Sequence, residues 1–159
     1  MKTLKKLALV VLVALVSATT FAQTAAKRQK EYNLENKVAI KGYDPVAYFT
    51  QKKAVKGKST IATTYEGVTY NFATQANKDL FLKNPTQYEP QYGGWCSYAM
   101  GNNGPNGEKV DIDPETFKII DGKLNLFYNA YFNNTLKSWN KNEAVLKKKA
   151  DVNWAKMIK

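Results

Sequence analysis

The chain has no histidine in its 159 residues. That removes a histidine-based catalytic dyad, the HExxH zinc motif and every imidazole metal ligand. Cysteine occurs once, at Cys96. No disulfide can form within the chain, and no CxxC redox couple exists. A small protein of this kind must hold together by packing rather than by cross-links within the chain. Long apolar runs are also scarce. The single unbroken one is Leu7 to Val16, too short to span a bilayer comfortably.

That run belongs to a recognisable arrangement. Lys2, Lys5 and Lys6 precede it, and Thr20 and Ala22 offer small residues before a cut ahead of Gln23. These are the physical parts of a secretory signal peptide over residues 1–22. The expected destination is the periplasm or another exported space. No later stretch reads as membrane-spanning. Removing residues 1–22 takes away three lysines and no acid, so the formal charge falls from +11 to +8. A basic exported surface meets anionic membranes, cell wall or ions more readily than nucleic acid. Nucleic-acid binding needs a focused patch; here the lysines are spread, with one run at "LKKKA".

What the chain has in quantity is aromatic side chains: ten Tyr, seven Phe and three Trp. These can build a core or line a pocket. Residues 23–36 are polar and without period, and read as a flexible lead-in to one domain over 37–159. A short strand is expected at Val38 to Ile40, then a turn over Gly42 to Pro45. "STIATTYEGVTYNF" reads as a hairpin turning at Glu66-Gly67. Thr74 is placed to cap a helix ending at Asn84, with Leu80 and Phe81 towards the sheet. "TFKIIDGKLNLFYN" reads as a second hairpin about Asp121-Gly122. The last quarter reads as helical, with Leu136 and Trp139 as one apolar face and Ala144, Val145, Val152 and Trp154 as partial anchors. The expected class is α+β, a small antiparallel sheet of hairpins packed by helices.

Taken together, "GYDPVAYF", "YEGVTYNFATQANKDLFLKNPTQYEPQYGGWCSYAM", "VDIDPETFKIIDGKLNLFYN" and "KADVNW" resemble the YHS domain family, in particular small exported members with one domain. The resemblance covers most of the chain after residue 22. In metal-binding relatives it implies cysteines after an Asp-Pro-Val, after the aromatic strand and in the first turn of the helix. Ala47, Ala73 and Asn77 stand at those places. Alanine has no donor atom, and an amide is a poor ligand for soft metals. The family resemblance therefore implies the scaffold here without a thiolate metal site.

Candidate site residues cluster in two segments. Tyr43, Asp44 and Tyr48 lie in the first. Tyr92, Gly93, Gly94, Trp95, Cys96 and Tyr98 lie in "PQYGGWCSYAM". Cys96 reads as a small buried residue, a ligand contact or a nucleophile. Gly93 and Gly94 suit a tight turn or a backbone approach to an anion. Asp44 suits a turn cap. Asp111, Asp113 and Glu115 offer alternating carboxylates for a hard cation, but without the full calcium-loop pattern. Asp113 ahead of Pro114 also reads as a helix cap.

The favoured reading is a non-catalytic exported module binding a small molecule or another exported protein at these segments. The alternatives are a metal-binding protein using carboxylates or Cys96, and an enzyme using Cys96 or a tyrosine. No motif calls for a cofactor.

Overall fold

The computed structural model describes residues 24–159. The expected signal peptide, residues 1–22, lies outside them. The fold is α+β, as the hairpins and helices in the sequence imply. Helix α1 covers residues 24–31. Strands β1 (Leu34–Glu35) and β2 (Val38–Ala39) follow, then a short turn of 3₁₀ helix at Ile40–Gly42 and helix α2 (Ala47–Thr50). β3 (Lys58–Tyr65) and β4 (Val68–Phe72) form the first long hairpin. Its turn residues Glu66 and Gly67 both have positive φ, the left-handed geometry that matches strand twist. Burial alternates strictly along β4, with Val68, Tyr70 and Phe72 inward.

Helix α3 (Gln75–Lys83) begins at Thr74, whose side chain accepts the Asn77 amide at 3.2 Å. Phe81 packs against Tyr65, Tyr70 and Phe72 of the hairpin. Leu80 does not share that face; it is 37 % exposed. Pro85 follows the Asn84 cap and opens a further short helix, α4 (Pro85–Tyr88). A left-handed turn at Gln91–Gly94 leads into α5 (Ser97–Asn102). β5 (Asp113–Ile120) and β6 (Lys123–Phe127) form the second long hairpin, about Asp121-Gly122. A small hairpin of β7 (Asn129–Ala130) and β8 (Asn133–Asn134) precedes α6 (Thr135–Trp139) and α7 (Glu143–Met157).

The two long hairpins do not share one sheet. The first sheet has order β1-β2-β4-β3, and its β2–β4 pair is parallel. β5–β6 is a separate ladder. Single bridges from Pro90 to Leu124 and from Cys96 to Leu126 run the 90–96 segment alongside β6. One apolar cluster nevertheless joins Val68, Tyr70, Phe72 and Phe81 to Cys96, Leu124 and Leu126.

Besides Leu80, three local expectations change. Residues 24–31, part of the segment expected to be a flexible lead-in, are helical and docked. Arg28 is buried, paired with Glu66 at 3.0 Å and with Glu89, and lies over the rings of Tyr32 and Tyr65. The anchor is a charged side chain, so no apolar period announces it. Asp113-Pro114 opens a strand rather than a helix: the Asp113 carboxylate accepts the Glu115 amide and the Thr116 hydroxyl beside a register shift in the ladder. On α7 the buried face is Leu146, Ala150 and Asn153, whereas Val145 and Val152 are exposed.

Candidate functional site

Asp44 is fully buried. Its Oδ1 accepts the amides of Val46 at 2.8 Å and Ala47 at 3.3 Å. Its Oδ2 accepts the Ala73 amide at 2.8 Å and the Asn77 Nδ2 at 2.7 Å. One carboxylate thus joins the start of α2, the residue after β4 and the first turn of α3. A carboxylate only accepts, and four donors saturate it. The turn-capping role expected of Asp44 is present in the first two bonds. The other two reach 29 and 33 residues further along the chain.

The tyrosines of the candidate segments face inward. Tyr48 is fully buried, and its hydroxyl donates to the Pro114 carbonyl at 2.9 Å. Burial, and then the negative charge of its neighbours, pushes its ionisation well above the usual tyrosine range. Tyr92 donates to Asp151 at 2.9 Å and is pushed up in the same way, by burial first and Asp151 second. Tyr43 lies at the edge of the core under the Lys56 ammonium, 4.7 Å from its ring centre. Tyr98 is half-buried between two apolar clusters.

Tyr92, Gly93 and Gly94 all have positive φ. A Cβ on Gly93 would lie 2.7 Å from the Trp154 ring and 2.9 Å from Tyr32. Close packing and the turn therefore explain that glycine. The carbonyls of Gly93 and Gly94 accept from Asn33, and Trp95 donates its indole N–H to the Glu31 carbonyl at 2.7 Å. Tyr92 and Gly93 line a cavity of about 160 Å³. That is small beside the roughly 300–1,000 Å³ of ordinary ligand pockets.

Cys96 is fully buried in a closed ring of hydrogen bonds. The Thr135 hydroxyl gives its one proton to the Tyr128 carbonyl at 2.9 Å. The thiol, 3.4 Å from that hydroxyl oxygen, is therefore the donor of their contact. Its sulfur in turn accepts the Tyr128 amide at 3.4 Å. Tyr43 and Cys96 belong to one packing cluster and Tyr92 to another.

The acidic candidates do not converge. Asp111 pairs with Lys41 at 2.6 Å and accepts from Asn33, Asp113 is held by its own turn, and Glu115 is exposed. Among the described residues, no group of three or more carboxylate or thiol side chains is placed to hold a metal ion. A larger space lies along α7. Lys148, Lys149, Val152 and Lys156 line a cavity of about 440 Å³ with Asn102 and Pro105. The run of lysines and the loop in "GNNGPNGEKVDIDPE", which its glycines and asparagines announce, are both visible in the sequence; their apposition is not.

Residues 46–92 match the YHS domain family. The chain carries a YHS domain. No curated protein and no solved structure matches it. Within the YHS domain, the places where metal-binding relatives are expected to carry cysteine are Ala47, Ala73 and Asn77. All three donate to Asp44: the alanines through backbone amides, Asn77 through its side chain. Two have no ligating side chain, and the third points its amide nitrogen at a carboxylate. This donor set does not fit a thiolate-bound metal.

Proposed function

We propose that this chain is an exported, non-catalytic binding module that keeps the YHS scaffold and replaces a metal cluster with a hydrogen-bonded carboxylate. The observation that carries the reading is Asp44, saturated by four donors where the three cysteine positions converge. The rest of the chemistry supports it. The one thiol is buried and bonded, and the tyrosine hydroxyls of Tyr48, Tyr70 and Tyr92 each donate to a fixed acceptor. None of these groups is poised as a nucleophile or base. The cavity along α7 suits a small ligand better than the tyrosine–glycine segment does. Export rests on the character of residues 1–22.

Native mass spectrometry of the protein from its own host tests this, combined with reconstitution by zinc, copper or calcium. The expected result is a chain beginning at Gln23, with no stoichiometric metal and no shift of the denaturation midpoint on adding any of the three. A stoichiometric metal whose removal lowers the midpoint would overturn the reading.

A further inference from the structure

Four two-residue turns among the described residues place both central residues at positive φ. Three are Asn36-Lys37, Glu66-Gly67 and Asp121-Gly122. Each has glycine or asparagine, the residues that adopt this geometry most readily. The fourth is Tyr131-Phe132, at φ 50° and 64°, between the paired residues Ala130 and Asn133 of β7 and β8. Two adjacent aromatic residues there are an outlier, because a Cβ crowds the backbone in the left-handed region. Both rings are also in water: Tyr131 is 92 % exposed and Phe132 112 %. The strained turn gains no packing within the molecule. Every other phenylalanine among the described residues is buried or half-buried.

The chain on either side of the tip carries charge of one sign, while Asp111 and Asp113 lie by Asn129 and Ala130 at the base of the hairpin. Residues 122–142 contain no Asp or Glu and three lysines, Lys123, Lys137 and Lys141. Lys137 is exposed on α6, which begins directly after β8. Tyr and Phe are side chains that settle at the boundary of a bilayer, and lysines beside them favour anionic headgroups. An apolar insertion and a basic neighbourhood are the two signals that reversible membrane docking requires. No helix of the described residues is long and apolar enough to cross a membrane.

We infer that the β7–β8 tip is a docking finger for an anionic lipid surface, with Tyr131 and Phe132 entering the headgroup boundary and Lys137 contacting the headgroups. This goes beyond the ligand-binding reading and uses none of its residues.

The test is sedimentation of the protein, isolated from its host, with phosphatidylglycerol-containing vesicles and with pure phosphatidylcholine vesicles. The wild type is expected to partition onto the anionic vesicles, less so as salt rises. The double variant Y131N/F132G should bind about tenfold less or weaker, while its denaturation midpoint rises, because Asn-Gly suits this turn. Lys137→Glu should weaken binding and leave the midpoint unchanged. Vesicle binding that survives Y131N/F132G in full overturns the inference, as does a failure of the wild type to bind anionic vesicles. A fall in that variant's midpoint would make the rings structural instead. Self-association in the absence of vesicles, lost in the same variant, would assign the tip to a second copy of the chain and overturn the lipid assignment.

Discussion

Asp44 shows how much one side chain can organise. Replacing it with alanine leaves the amides of Val46, Ala47 and Ala73 and the Asn77 side chain without their acceptor in a buried place. Unpaired buried donors are costly, so Asp44→Ala is expected to lose at least about 3 kcal/mol in a denaturant titration. Asp44→Asn keeps one acceptor oxygen and turns an NH₂ towards donors, so it should fall between wild type and alanine. An unchanged midpoint in both would remove the carboxylate from its organising role. Cys96 makes a smaller claim. Cys96→Ala opens a small void and strands the Tyr128 amide, at an expected ~1–2 kcal/mol. Alkylation of the folded wild type should be slow and should speed up only on denaturation; rapid labelling would show an accessible thiol. Asp44 was legible as a turn cap from Gly42 to Pro45 alone. Its reach to Ala73 and Asn77 was not, because no local pattern records a contact so distant in sequence.

Among the elements, α5 and α7 pack closely enough to dispense with a side chain. A Cβ on Gly101 would lie 2.4 Å from the Leu146 carbonyl oxygen, a backbone atom of α7 that cannot swing aside. Gly101→Ala gains helix propensity but must push the two helices apart. The expected net effect is a loss of about 2 kcal/mol, read as a lowered thermal midpoint; a neutral or stabilised variant would show that α7 yields freely. The elements readable from sequence were those with local grammar: Glu66-Gly67, Asp121-Gly122, Thr74 at its cap. Those misread lacked it. The helix at 24–31 is held by Arg28 rather than an apolar stripe. On α7 exposed Val145 and Val152 look as apolar as buried Leu146 and Ala150, and only packing chooses between them. The tip at Tyr131-Phe132 was hidden because neither central residue is the glycine, asparagine or aspartate that announces such a turn.

For the whole molecule, ionisation brackets the stable range. Burial first, with nearby Glu89 adding to it and Arg28 opposing it, raises Tyr32 to about 12 and puts Tyr70 well above the usual value; Tyr48 and Tyr92 are raised too. These groups hold their protons in the folded state after the unfolded chain would release them. Stability is therefore expected to be intact below about pH 10 and to fall as pH rises beyond it. Tyrosinate absorbance from these four rings should appear together with unfolding rather than before it; their ionisation in the folded chain would contradict this. On the acid side, the Lys109 bond lowers Glu31 and the Lys118 bond lowers Glu143. Their contribution is present above the ordinary carboxylate range and is lost as pH falls through the lowered values.

The Arg28 pairing also fixes an order of events. Its partners Glu66 and Glu89 lie 38 and 61 residues later in the chain. A polypeptide made from its N-terminus presents α1 well before these acceptors. Contacts so far apart must wait for the intervening chain to close. Helix α1 thus settles after the hairpin that carries Glu66. Pulse-labelled hydrogen exchange during refolding should find the amides of residues 24–31 protected after those of the β3–β4 hairpin; protection of both together would show that α1 forms before its clasp. Until Glu89 arrives Arg28 has only part of its clasp, so the segment made early is held in place by residues made later.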